Sequence, residues 1–441
     1  MNTAPFKPRP KICLLGGSNS LRRNGLRNGL AIHADVFNYA LGASTSLQNV
    51  FAIVRNSHQI SGVNVIVTES NVNDVHAAFN ARIPVSLVKT NIQKLYRELA
   101  LTGKPTVSLI LPLRDYGVFS PSKELVSEIS GHHLEMAQKY GLSIIDVEDA
   151  LREYDSNHLD VKKIIPDALH PIGSFMHALG QNIALYAIET YCTVSPAMRV
   201  SNFEIVEATA FGGPGRHKKN SYFSEAVVDL TQPCETTVAD GNCVAFSTWS
   251  DAPSEIIIET DNARVVRQFN SKLAFHDLHV PIQGEIRFRS NIGVSVGISE
   301  KTINVKPEAK LHQPVGIVAL LIEKAQRTEP SVIGAGKNLV HLIPSPSVHI
   351  DAVESVLRNY RALLSTLTPE EIDLLNRVAV TLEHTNPALA SKLLQLAQKH
   401  RPNGQLIISG IDSDKRRIKK KKQSPLRMLR RIMSALKKRN A

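Results

Sequence analysis

Little in this chain of 441 residues suits a disulfide framework, a metal cluster or a membrane span. Its four cysteines, Cys13, Cys192, Cys234 and Cys243, form no CxxC pair, and Cys13 falls inside an apolar run. That pattern speaks against structural disulfides and zinc, and for a reducing compartment. No uncharged apolar run reaches the length of about 18 residues that a membrane-spanning helix needs. The opening stretch MNTAPFKPRPK is proline-rich and has no apolar core, unlike a secretory signal. A cytoplasmic location, at most peripheral on the inner face of a membrane, is therefore expected. His132 and His133 are the one adjacent histidine pair considered for a metal; no third ligand keeps the spacing, so they are expected on a helix surface. The single tryptophan, Trp249, is expected to pack between strands rather than to stack on a sugar.

What is present is ordinary material for a globular protein: 43% hydrophobic and 21% charged residues. The net charge of +12 is carried by one segment. From Lys415 to the end there are seven lysines, six arginines and no acidic residue, so the preceding 414 residues sum to −1. Within this tail, Leu426, Leu429, Ile432, Met433 and Leu436 recur at helical spacing opposite the basic residues. Residues 411–441 thus read as a basic amphipathic tail suited to an anionic membrane surface. The rival readings are a merely solvated segment and a nucleic-acid partner, though no aromatic residue is interleaved for stacking on bases.

Over residues 10–195 short apolar runs alternate with helical spacing. KICLL (11–15), DVFNYAL (35–41), VNVIVTES (63–70), TVSLILPL (106–113) and LSIIDV (142–147) read as strands. Uninterrupted apolar runs separated by helices imply a parallel sheet covered on both faces, with ligands at the carboxyl ends of its strands. From 198 to 345 the texture becomes β-type: EIVEATAF, AVVDL, CVAFSTW, EIIIET, ARVVRQF, EIRFRS and IGVSVGI are spaced by turn residues, as in an antiparallel sandwich. FGGPGRHKKN (211–220) lacks the spacing of a phosphate loop and reads as a glycine-rich turn with a basic tip. Residues 346–410 read as a helical hairpin, similar to one tetratricopeptide-type unit, available to a protein partner.

The strand ends carry the chemistry. KICLL stops at Gly16-Gly17-Ser18, either a tight turn or a nucleophile held at a strand terminus. Gly42 follows the second strand and Asn73 the third, where a backbone N–H and a side-chain amide could serve an oxyanion. Asp167 and His170 stand three apart in IPDALHP, a spacing that can set a carboxylate beneath an imidazole acting as base. Glu69 and Asp74 flank Asn73; a glycosidase-type carboxylate pair and a role in shaping the rim are both open, the second being expected.

In this order, Ser18, Gly42, Asn73 and the Asp167-x-x-His170 pair resemble the blocks of the SGNH hydrolase superfamily, the GDSL-type esterases and acyltransferases. The resemblance implies a flavodoxin-like three-layer α/β/α domain over 10–195, with Ser18 as nucleophile, His170 as base and Asp167 as its partner. It implies an oxyanion hole of Ser18 N–H, Gly42 N–H and Asn73, and neither metal nor cofactor. Two positions depart from the family pattern. Gly17 replaces the usual aspartate of Gly-Asp-Ser, and Asn71 stands where the third block has glycine, which makes Asn71 a competitor for the oxyanion role.

The function expected on this resemblance is a serine-dependent esterase acting on an O-acetylated glycan or its precursor. The alternatives are an O-acetyltransferase of polysaccharide biosynthesis and a non-catalytic glycan-binding scaffold recruited by the basic tail.

Overall fold

The computed structural model describes residues 9–351, apart from 23, 116, 118–119, 157–160, 192–199, 213–214, 221–222, 232, 239, 252–253, 270–271, 292–314, 326–327 and 331–335. Nearly all of the helical hairpin expected at 346–410, the basic tail, Cys192 and the strand expected at 292–298 lie outside the described residues. The chain forms two compact units, Met1–Val161 with Ala168–Ser345 and Lys162–Asp167 with Pro346–Ala441.

The first unit begins as an α/β fold. In chain order its elements are β1 (Lys11–Leu15), α1 (Ser18–Leu21), α2 (Leu26–His33), β2 (Asp35–Asn38), α3 (Ser46–Arg55), α4 (Ser57–Ser61) and β3 (Val65–Thr68). There follow α5 (Asn71–Phe79), α6 (Val85–Leu101), β4 (Thr106–Ile110), α7 (Lys123–Lys139), β5 (Ser143–Asp146), α8 (Val147–Ser156) and α9 (Gly173–Thr190). The five strands are parallel in the order β2-β1-β3-β4-β5, the flavodoxin-like arrangement. β1, β3 and β4 are buried along almost their whole length, which explains their uninterrupted apolar sequences. α7 ends two residues before Gly141, whose φ of 67° is the left-handed conformation that glycine permits just past a helix end.

The β-rich part contributes β6 (Phe203–Glu207), β7 (Gly215–Lys219), β8 (Ser224–Asp229), β9 (Cys234–Thr237) and β10 (Gly241–Ser250). It continues with β11 (Ser254–Thr260), β12 (Ala263–Phe269), β13 (Lys272–Ile282), β14 (Glu285–Ser290) and β15 (Gly316–Lys324). One antiparallel sheet runs β13-β10-β15-β8-β7, with β6 also on β15; the other runs β12-β11-β14-β9. Both sheets feed one core: Phe246, Leu320 and Ile322 from the first meet Ile256, Ile258, Ile286 and Phe288 from the second. The period-2 spacing of these residues is that of a strand with one face turned inward.

β15 is buried on both faces. Leu320 and Ile322 point into the sandwich core, while Glu323 meets Lys94 Nζ at 2.9 Å and Arg97 Nη2 at 3.5 Å, both on α6. Arg55 on α3 likewise reaches Glu207 and Glu225 at 2.8 Å each, and the Phe51 and Phe275 rings lie 5.3 Å apart. The sandwich is thus docked on α3 by apolar contact and half-buried ion pairs, and on α6 by buried ones. Further on, Asn338 bridges to Ile144 in parallel, so the segment after the sandwich returns to the free edge of β5.

Candidate active site

Three strand ends are tied together at the carboxyl edge of the parallel sheet. Tyr39 N–H donates to Leu14 O at 2.9 Å, Leu41 N–H to Gly16 O at 3.0 Å, and Glu69 N–H to Leu15 O at 3.3 Å. The loop after β1 therefore lies between the loop that bears Gly42 and the one that bears Glu69. Gly16 adopts φ 152°, and a Cβ there would lie 2.6 Å from Ser20 Oγ and 2.7 Å from Glu69 Oε1. Glycine at this position is required by both conformation and space.

Ser18 opens α1, with its side chain half-buried. Its Oγ lies 2.8 Å from His170 Nε2, across 152 residues of sequence. That separation is hydrogen-bonding distance for a hydroxyl and the imidazole that would remove its proton. His170 stands in the loop before α9. This loop is held by Arg114 N–H donating to Ala168 O at 2.9 Å, where Ala168 takes φ 64°, and by Asn19 Nδ2 donating to Leu169 O at 3.4 Å. Asp167 precedes His170 by three residues in sequence and belongs to the second compact unit.

Asn73 lies in the first turn of α5 and is brought against the loop after β1, since a Cβ on Gly17 would collide with its Nδ2. Asn71 is elsewhere. Its Nδ2 donates to Leu111 O at 2.8 Å and its Oδ1 accepts from Leu111 N–H at 3.0 Å, pinning α5 to the end of β4. Gly42 is exposed in the loop after β2, and a Cβ added there would meet nothing within 4 Å.

Glu69 and Asp74 do not form a rim. Each is 1% exposed, and they serve different partners. Glu69 Oε1 accepts from Gly17 N–H at 2.7 Å and from Ser20 Oγ at 3.1 Å. Burial pushes the Glu69 carboxyl up to about 7, against the pull of these donors, and Asp74 adds to the rise. Asp74 accepts from Ser46 N–H at 2.9 Å and Ser46 Oγ at 2.7 Å, which joins α5 to the start of α3.

The surface role expected for His133 is also overturned: it is 2% exposed. Its Nε2 is 3.0 Å from Asp74 Oδ2 and its Nδ1 is 3.2 Å from Tyr96 OH, which is 2.6 Å from Ser108 Oγ. With Nε2–H donating to Asp74, Nδ1 can accept from the tyrosine, and every link of the chain is satisfied. His132 is the partner nearer solvent, bonded to Glu135 at 2.9 Å. One turn beyond Asn73, burial lowers the His76 pKa, and the nearby His170 charge lowers it further.

Sequence reasoning missed Glu69 and His133 as members of buried networks. Both left a signal. β1 and β3 are adjacent with Leu15 opposite Thr68, so the residues that follow each must meet. His133 stands at the spacing of Ile129, Met136 and Ala137, the buried stripe of α7. Among the described residues no cluster of His, Cys, Asp and Glu could hold a metal ion, and no helix is long and apolar enough to cross a membrane.

No protein-family model matches the sequence, and no curated protein is significantly similar to it. Solved structures are similar to about two fifths of the chain at low identity. An α/β hydrolase enzyme from the metagenome of Lake Arreo, Spain, is 16% identical with a TM-score of 0.34, over 42% of this chain and 97% of its own. An acetylxylan esterase from Geobacillus stearothermophilus is 14% identical with a TM-score of 0.33, over 42% of this chain and 96% of its own. Another acetylxylan esterase is 12% identical with a TM-score of 0.31, over 40% of this chain and 96% of its own.

Proposed function

We propose that this protein is a serine esterase of the SGNH type, with Ser18 as nucleophile and His170 as general base. The observation that carries the reading is the 2.8 Å approach of Ser18 Oγ to His170 Nε2 at the carboxyl edge of a parallel sheet. In the proposed first step, Nε2 takes the Ser18 proton while Oγ attacks an ester carbonyl. The resulting oxyanion is held by Ser18 N–H, Gly42 N–H and the Asn73 amide, and collapse expels the alcohol, which takes the proton back from His170. Water then repeats the sequence on the acyl-enzyme. Asp167 is assigned the orientation of the imidazole.

The substrate class we propose is an O-acetylated glycan or its precursor. A sugar hydroxyl in place of water would make the same site a transferase. The enzyme reading predicts turnover of a small chromogenic acetate ester and covalent labelling by a fluorophosphonate, both abolished by Ser18→Ala. Asp167→Asn should lower kcat by about 10⁴-fold, the scale for loss of the orienting carboxylate. A wild-type protein that neither turns over the ester nor takes the label at Ser18 would leave the scaffold reading in its place. Release of acetate from acetylated xylan, compared with acetyl transfer to the free glycan, separates the hydrolase from the transferase.

A further inference from the structure

A buried carboxyl is costly unless its lone pairs are used. Glu69 uses one oxygen twice, and its Oε2 has no hydrogen-bond partner among the described residues. A group kept at that cost directly behind the Ser18 loop calls for a reason beyond packing. The loop itself supplies one. Gly16 and Gly17 have no side chains with which to fix it, and each is hemmed in: Gly16 by Ser20 Oγ and Glu69 Oε1, Gly17 by the Asn73 amide.

We propose that Glu69 is the positioning residue of the nucleophile loop: by accepting from Gly17 N–H and Ser20 Oγ, its carboxylate holds Ser18 Oγ within reach of His170 Nε2. The bonds bracket Ser18 on both sides, one residue before and two residues after. Asn19, between them, is fixed separately through Leu169 O on the histidine loop. A third tie, Glu69 N–H to Leu15 O, sets where the carboxylate starts. Glu69 does not touch the reacting atoms; it acts through the backbone of residue 17. This inference rests on the reading of Ser18 as nucleophile, and its test is arranged to fail separately from that reading.

The full-length protein and its Glu69→Ala, Glu69→Gln, Ser20→Ala and Ser18→Ala variants are compared by two measurements. One is the rate of fluorophosphonate labelling with kcat and KM for a chromogenic acetate; the other is hydrogen exchange of the Gly17 amide. Glu69→Ala is expected to lower labelling and kcat by about 10–100-fold with KM nearly unchanged, the scale of a misplacement near 1 Å. It should also speed Gly17 exchange by an order of magnitude or more, roughly as loss of one protecting bond allows. Glu69→Gln, which keeps an Oε1 acceptor, should restore slow exchange and most of the labelling.

Wild-type labelling together with slow Gly17 exchange in Glu69→Ala would overturn the proposal while leaving the esterase reading intact. If the wild-type protein itself is never labelled, the esterase reading fails, and exchange alone decides: an unaltered Gly17 amide in Glu69→Ala overturns the positioning role, a faster one supports it. Should Glu69→Ala not fold, Ser20→Ala removes one of the two bonds and must shift the same quantities in the same direction by a smaller factor. No shift in that variant overturns the proposal.

Discussion

Asn73 leaves Gly17 no room for a side chain: its Nδ2 occupies the space that a Cβ at position 17 would fill. The departure from the Gly-Asp-Ser pattern and the placement of the amide are therefore one fact. Placing the aspartate of that pattern here by Gly17→Asp should push Asn73 away from the loop after β1. Overpacking of this kind costs about 1–3 kcal/mol. Displacement of an oxyanion donor costs on the order of 10²–10³ in kcat. Thermal denaturation and ester turnover check the two effects. A Gly17→Asp variant with wild-type stability and turnover would show that Asn73 is not held where its amide now lies.

The Glu69 carboxyl gives the protein a pH signature. In the folded chain it is raised from 4.5 to about 7, so between those values the native state holds a proton that the unfolded chain has released. Stability attributable to Glu69 must fall as pH rises through that window and level off above it. Glu98, Asp146, Glu148 and Asp277 are raised as well, by burial, but they contribute equally to wild type and variant. The stability of Glu69→Gln relative to wild type, from urea denaturation, should therefore improve steadily between about pH 4.5 and 7 and be constant beyond. A difference independent of pH would mean that Glu69 ionises near its ordinary value.

The docking of the sandwich on α6 turns on Glu323, which faces Lys94 and Arg97 in a buried setting. Glu323→Ala removes the buried carboxylate that Lys94 and Arg97 share, although Arg97 keeps Glu329 at 3.7 Å, and should cost about 3–5 kcal/mol of stability. Replacing all three residues by apolar side chains of similar volume should recover most of that loss, since buried ion pairs are expensive to assemble. Denaturant titration of the two variants checks both. A loss below about 1 kcal/mol in Glu323→Ala would be the value of a solvent-exposed pair instead.

The five parallel strands are legible in the sequence because burial on both faces makes them uninterrupted apolar runs, and β1 begins and ends where KICLL does. The strand-end positions of Ser18, Gly42 and Asn73 follow from the same pattern. What is not legible depends on the order of strands and the facing of helices. Glu69 becomes a partner of Gly17 only once β3 is known to lie beside β1. β13 escapes because KLAFHDLHVPI carries two histidines, an aspartate and a proline. The alternation also breaks where Leu278 and His279 bulge, with His279 at φ 63°. β7 and β9 are mostly exposed short strands, whose polar sequences carry no inward stripe.

Gly42 differs from Gly17 in what it is asked to supply. Nothing lies within 4 Å of a Cβ added there, and its φ is not in the left-handed range that the neighbouring Ala43 occupies at 61°. Only its N–H has a proposed task. Gly42→Ala keeps that donor and should change stability by no more than about 0.5 kcal/mol, as for an exposed surface site, with turnover close to wild type. Gly42→Pro removes the donor and should lower kcat by about 10²–10³-fold, as loss of one oxyanion-hole bond does. Equal melting temperatures for the two variants would assign the difference to the missing N–H rather than to the loop. If Gly42→Pro turns over ester as fast as Gly42→Ala, the oxyanion is held without Gly42, and Ser18 N–H and Asn73 must suffice.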